Sequence, residues 1–394
     1  MISRIYAAII FASCLISSLV LAAGEAPLPW NPRPAARFRE IWPVDKSVEA
    51  TLLDEVGTHY TTFHTGHFAV THASQIETAK FRGELLESVY SSFTLFFDSH
   101  GFDLMIPPAL LQTIFFRTRE EFILHLAIPN LSNEVSGLYR SDLSRGYFFD
   151  TLGRHESRET NKEISVRKRE LTAMQRRVQR ADDDQEFTWK VAGRAGRRVS
   201  KEEASRLINK ELRSFGNRAN RFRGSLGQSS LETMCHEAAH QLSHRMGVVR
   251  LGRATPLWLS EGLATFFEPS RNGYLLPTGS IHWRRLDLLN RFHAKGRRIQ
   301  LSNLLTQDEL FHDPAAATLA YHEAWSLFHY LATERPGELM RYLRDLRSAD
   351  PKGSPKTRIQ IFKSAFGSNT ERVEALWQAH VDRLARPDLE PTLR

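Results

Sequence analysis

The chain has 394 residues, of which 41% are hydrophobic and 25% charged, and a formal net charge of +8. These are the proportions of a globular protein, enough for one large or two ordinary domains, and they exclude a chain that is disordered or membrane-embedded throughout.

Residues 1–23 read as a targeting signal. Met1-Ile2-Ser3-Arg4 is a short positive start, Ile5 to Leu21 is an apolar run, and Leu21-Ala22-Ala23-Gly24 offers small residues for cleavage. The alternative is a retained anchor, but the run is at the short end of the spanning range of about 17–25 residues. No later run is long enough to span a membrane. Removal of the signal takes Cys14 with it and leaves Cys235 alone, so no intramolecular disulfide forms. The expected location is the periplasm or the exterior.

Residues 24–54 are Pro-rich (Pro27, Pro29, Pro32, Pro34, Pro43) and read as an extended lead-in. Residues 55–153 then form a small α/β layer. His67 to His72 reads as a strand. Ile76 to Phe97 reads as an amphipathic helix, with Leu85, Leu86, Val89, Tyr90, Phe93, Phe96 and Phe97 at helical spacing. Leu110 to Phe116 reads as a buried strand, Arg119 to Leu126 as a short helix and Gly146 to Asp150 as another strand. His59, His64, His67 and His72 share no helical face and do not make a second metal site.

Residues 154–226 read as a basic helical insertion. Between Arg154 and Arg223 there are twenty Lys and Arg against eleven Asp and Glu, so the high pI of the chain arises here. Such a run is usually a solvated face. The functional alternative is an anionic partner in the cell envelope. The export signal and the sparse aromatics (Phe187, Trp189, Phe215, Phe222) argue against nucleic acid.

Residues 227–394 carry the chemistry. Ser229 with Glu232 three residues later reads as a capping box that opens a helix, and Gly247 reads as its stop. On that helix stands His236-Glu237-Ala238-Ala239-His240. Residues four apart share a face, so His236 and His240 can converge on one metal ion. A catalytic zinc takes three protein ligands and keeps a position open. Glu261 is the natural third ligand, from a second helix that Thr255-Pro256 would start. Glu237 is beside a ligand and can take a proton from water held there. His244 lies a further turn along, about 12 Å from His236 in axial rise, and cannot close on the same ion. Cys235 faces about 100° away from His236 and reads as a small buried residue.

His-Glu-x-x-His followed by Trp258-Leu259-Ser260-Glu261-Gly262-Leu263-Ala264 resembles the gluzincin metallopeptidases, of the thermolysin and aminopeptidase type, and more closely a group of secreted bacterial proteins with a peptidase-like zinc core. The resemblance is clearest from Leu231 onward and weaker over about His67 to Asp150. It implies an α+β fold with a gluzincin core, one Zn2+ per chain held by His236, His240 and Glu261, Glu237 as general base, and a peptide or protein substrate. In the thermolysin pattern an Asp four residues after the third ligand orients a ligand histidine. Here that position is Thr265, and Glu268 or a residue from elsewhere would have to serve.

Arg271 to Arg298 reads as a loop and a basic helix, with Tyr274, His282 and Trp283 as cleft candidates. Tyr321 resembles the aminopeptidase tyrosine that opens a helix beside the zinc and holds the oxyanion. Its other reading is packing on the core. Helices over Pro336 to Leu346 and Thr370 to Leu384 complete an all-helical C-terminal half. The expected function is zinc-dependent hydrolysis of peptide bonds. Hydrolysis of a non-peptide amide, and a non-catalytic envelope-binding protein with a vestigial zinc site, are the other readings.

Overall fold

The computed structural model describes residues 34, 36–74, 76–128, 135–149, 169–189, 197–250, 255–268, 270–271, 274–350 and 352–386, with 77, 213–229, 270–271 and 274 as backbone only. The expected signal, most of the Pro-rich lead-in, Asp150 and the start of the expected insertion lie outside these residues. The chain divides into two units, Met1–Phe149 with Ser230–Arg394, and Asp150–Ser229.

The first unit is α+β. Its sheet contains β1 (Thr61–His64), β2 (Phe68–His72), β3 (Leu111–Phe116), β4 (Gly137–Arg140) and β5 (Arg145–Phe149) in the order β1-β2-β3-β5-β4. β2, β3 and β5 run parallel, while β1 and β4 are antiparallel edges. Every residue of β2 and β3 is buried, as expected of parallel strands covered on both faces. Helix α1 (Lys46–Val56) precedes β1, α2 (Ile76–Ser99) crosses from β2 to β3, and α3 (Arg119–Leu126) follows β3. Alternation along the strands divides their side chains between two cores. Phe68, Val70, Phe115 and Phe148 join α2 and the helix that carries His236 and His240, while Ile114, Phe116, Tyr147 and Phe149 join Leu52, Phe122 and Leu126.

Helix α1 and the strands β1 and β4 were not anticipated. Helix α1 lies partly in the stretch expected to be an extended lead-in. Asp45 caps it, accepting from the N–H groups of Ser47 and Val48. Strand β4 is only four residues long, too short for alternation to show.

The helix that carries His236 and His240 does not begin at Ser229. Helix α4 runs Lys201–Arg245 without a break, its first part in the second unit and its last turns, from Ser230, in the first. Ser229 and Glu232 are therefore interior, and no capping box forms. Its end is as expected. Gly247 is left-handed, and the bonds Val248 N–H to Ser243 O and Gly247 N–H to His244 O close the helix in a Schellman turn.

Helix α5 (Leu257–Phe266) starts at Leu257, with no side-chain cap from Thr255. The carboxylate of Asp308 accepts the Leu257 N–H instead, at 2.9 Å. After α5 come a two-stranded ribbon, β8 (Ser270–Arg271) with β9 (Tyr274–Leu275), and helices α6 (Trp283–Ala294), α7 (Leu301–Thr306), α8 (Ala317–Glu334), α9 (Pro336–Ser348), α10 (Pro355–Phe366) and α11 (Thr370–Leu384). The ribbon means this half is not all helical. α5 and α8 pack so closely that a Cβ on Gly262 would stand 2.5 Å from Ala324 O and 2.9 Å from Phe328 Cβ.

The second unit contains a helical stretch over 169–180 and the ribbon β6 (Phe187–Trp189) with β7 (Arg197–Val199). Val178, Val199, Ala204 and Ile208 form a small core of its own. Lys201 pairs with Asp183 and Arg198 with Glu186, so part of its positive charge is balanced locally. Among the described residues no helix is long and apolar enough to cross a membrane.

Candidate metal centre

His236 and His240 stand one turn apart near the end of α4, and their Nε2 atoms approach to 3.0 Å. Glu261, on α5, brings Oε2 to 3.2 Å from His236 Nε2 and 3.5 Å from His240 Nε2. Ligand atoms bound at about 2.0–2.1 Å to a tetrahedral zinc lie roughly 3.4 Å from one another. The triangle has the size of one face of such a tetrahedron. Glu261 Oε2 is buried and makes no well-aligned hydrogen bond with protein, as befits an atom shaped to meet a cation. The three residues could hold a metal ion, and among the described residues no other His, Cys, Asp and Glu group does so.

Neighbours set the imidazoles. His236 Nδ1 donates to Glu268 Oε1 at 2.7 Å, which leaves Nε2 as the lone-pair nitrogen facing the centre. Glu268 follows the last turn of α5. Arg285 grips it with two hydrogen bonds of 2.8 and 2.7 Å, and His282 Nε2 lies 3.1 Å away. Glu268 thus occupies the role left open by Thr265. The Thr265 hydroxyl itself donates to the Glu261 carbonyl at 2.7 Å and helps hold that turn. His240 has a weaker neighbour, the Ser260 hydroxyl, 3.3 Å from its Nδ1.

Glu237 faces the sheet. Its Oε2 accepts the Tyr139 N–H of edge strand β4 at 2.7 Å, while its Oε1 is buried without a protein partner. Contacts from β3, from β4 and from the segments flanking β4 hold this side of the sheet against α4. Ser136 donates to Thr233 at 3.1 Å, Gln241 donates to the carbonyls of Gln112 and Ser144 at 3.0 Å each, and Gly137 lies where a Cβ would strike Phe148 and Thr233.

Burial and charge act against each other here. Burial lowers the His236 imidazolium, but the neighbouring carboxylates of Glu261 and Glu268 prevail and raise it to about 10. Burial would raise both carboxylates. The charge of His240 and the His236 hydrogen bond hold Glu261 low, and Arg285 with His236 and His282 holds Glu268 well below the ordinary range. Glu237 is pushed up by burial, which the charges of His236 and His240 only partly offset. Glu261 and Glu268 are therefore held in their charged forms by the cationic groups around them.

The remaining expected residues fall outside the ligand triangle. Tyr321 is buried, with its ring edge-on to Phe311 at 5.3 Å. Its neighbour His322 lies within electrostatic reach of Arg285, His282 and Glu268, and burial with the charge of Arg285 lowers it to about 3. His244 Nδ1 meets the Tyr139 hydroxyl at 2.8 Å. Cys235 is fully buried in the main core, which pushes its thiol up. His64 pairs with Glu49 and His67 with Glu87. Sequence reasoning missed Tyr139, Ser260 and Arg285. Ser260 could have been found, because it stands one turn-step before Glu261 in the same motif. Arg285 had no signal, being one basic residue among many in α6.

A sequence family described as a protein of unknown function (DUF1570) matches residues 230–352, less than half of the chain. The match contains His236, Glu237, His240, Glu261, Glu268 and Tyr321. No curated protein matches the chain.

Proposed function

We propose that this chain is a zinc-dependent hydrolase of peptide bonds with a gluzincin-type core, acting outside the cytoplasm. The observation that carries the reading is the triangle of His236, His240 and Glu261 with the unengaged Oε1 of Glu237 beside it. Zinc bound there supplies a Lewis acid that lowers the pKa of water to about 7 and polarises a carbonyl.

Glu237 accepts the proton of the attacking water on Oε1 and delivers it to the leaving amine. The Tyr139 N–H fixes the other oxygen and so sets the direction of the carboxylate. Tyr321 donates its phenol to the developing oxyanion, a role that rests on the resemblance of the helix it opens. β4 is an edge strand of the sheet, the kind of element to which an extended peptide adds a strand. The export assignment rests on residues 1–23 alone.

The test is metal content of the purified chain beside His240→Ala, followed by turnover on a peptide library. The reading expects one zinc per chain, lost in the variant, and cleavage of peptides. Zinc without cleavage of any peptide would favour the envelope-binding reading. No zinc after reconstitution would end the metal reading.

A further inference from the structure

Two hydrogen-bonded braces reach the metal centre from beyond residue 352, where the family match ends. The first starts at Arg358 on α10, which is 5% exposed. Its guanidinium grips Asp308 with bonds of 3.0 and 2.7 Å, and Asp308 accepts the Leu257 N–H at the start of α5. Glu261 stands one turn along that helix. With no side-chain cap of its own, α5 takes its N-terminal acceptor from this pair.

The second brace is a chain of imidazoles. His329 Nε2 lies 3.0 Å from Gly279 O, His329 Nδ1 lies 3.0 Å from His380 Nε2, and His380 Nδ1 lies 3.1 Å from Arg383. A carbonyl only accepts, so His329 carries its proton on Nε2. Its Nδ1 then accepts, which places the His380 proton on Nε2 and leaves His380 Nδ1 to accept from Arg383. Among neutral tautomers only this pair satisfies these three contacts, and the Glu334 carboxylate, paired with Arg383 at 2.7 Å, lies 3.3 Å from His380 Nδ1. Burial lowers both imidazoles and so favours those neutral forms. Gly279 is left-handed (φ 86°), in a turn closed by the Ser280 N–H to Pro277 O bond. Three residues later the chain delivers His282 to Glu268, which holds His236.

We propose that helices α10 and α11 are positioning elements of the metal centre: Arg358 through Asp308 sets the helix that carries Glu261, and His380 through His329 sets the turn that carries His282 to Glu268. These residues touch neither metal nor substrate. This rests on the metal reading above. It goes beyond it in making metal affinity depend on a segment outside the matched family region.

The experiment measures cobalt(II) affinity by chelator competition, the cobalt absorption spectrum and the metal-free Tm of the full chain. The variants are His380→Ala, His380→Gln and Arg358→Met, with Val381→Ala as a control that is buried on α11 but lies in neither brace. Loss of an outer partner of a metal ligand costs about 10–100-fold in affinity. His380→Ala and Arg358→Met act further from the ligands and should weaken cobalt by less, about three- to tenfold, and shift its spectrum. His380→Gln, whose amide can donate to His329 Nδ1, should recover most of the loss. Val381→Ala should lower Tm and leave affinity alone. Where His380→Ala fails to fold, Arg383→Leu removes the donor to His380 at a half-exposed site and should weaken cobalt in the same direction. Wild-type affinity and spectrum in His380→Ala, or in Arg383→Leu, together with Arg358→Met would overturn the proposal. So would a loss in Val381→Ala equal to theirs at equal Tm. Failure of the wild type to bind any metal would instead remove the metal reading, and this proposal with it.

Discussion

Behind His236 the structure puts a carboxylate clamped by a guanidinium, while behind His240 it puts a hydroxyl. The His236 side chain is wholly buried, and that of His240 is 12% exposed. The region around Glu268, Arg285, His282 and His322 is a back wall with its polar groups paired across three segments. Under the proposed function, the region around His240, Ser260 and the unengaged oxygen of Glu237 is the side that faces the substrate. The contrast teaches how one helix serves two needs. The wall fixes a ligand by mutual charge neutralisation, and the open side leaves acceptor atoms unengaged for chemistry.

The largest effect should come from the open side. Glu237→Gln keeps the shape of the side chain and can still meet the Tyr139 N–H through its carbonyl oxygen. It should keep zinc and lose turnover by about 10²–10⁴-fold, the usual worth of a general base. Metal content and single-turnover rate on one peptide substrate check this. Full activity with full zinc would move the base elsewhere and erase the functional half of the contrast.

The next effect tests the seal of the back wall. Burial lowers His329 to about 4. In the unfolded chain a histidine titrates near 6.5. Below that pH the unfolded state takes up a proton that the folded state refuses. The contribution of His329 to stability is thus complete above about pH 6.5 and falls as pH drops toward 4. His236, raised to about 10, has the opposite sign, losing its contribution as pH rises from 6.5 to 10. Comparing metal-free wild type with His329→Gln cancels the His236 part. The stability gap between them should narrow between pH 6.5 and 4.5, by at most roughly 3 kcal/mol. Urea melts across that range measure it, and a gap independent of pH would mean the wall admits the proton.

These two regions were unequally legible in the sequence. The open side is local. His236, Glu237 and His240 stand in five consecutive residues, and Glu261 lies in a motif of its own. Spacing on a helix is enough to bring such residues together. Glu268 was one of two possibilities, because a carboxylate after a helix can turn either to solvent or back to the ligand. The rest of the wall is assembled from distant positions. Nothing in His282-Trp283-Arg284-Arg285 tells which of two arginines will point inward, and Arg284 instead pairs with Glu232 at the surface. Strand β4 and the Tyr139 N–H were hidden for another reason. Backbone donors carry no residue signature, and a four-residue strand offers no periodicity. The expected start at Ser229 failed because a local capping pattern was outweighed by continuation of a 45-residue helix through it.

The sharpest test of the contrast sets Glu268→Ala against Ser260→Ala. Removing Glu268 leaves Arg285 and His282 facing each other in a buried site and frees the His236 ring to turn. Zinc affinity should fall about 10–100-fold, and Tm should fall with it, because an uncompensated buried charge remains. Removing the Ser260 hydroxyl takes away one neutral partner at 3.3 Å from a ring that is 12% exposed. Water can replace it at a modest cost, so affinity should fall only a few-fold and Tm should hold. Chelator competition on both variants gives the two numbers. If Ser260→Ala costs as much as Glu268→Ala, charge neutralisation is not what distinguishes the two histidines. The position of Ser260, bonded to one ligand and adjacent in sequence to another, would then be what holds the triangle closed.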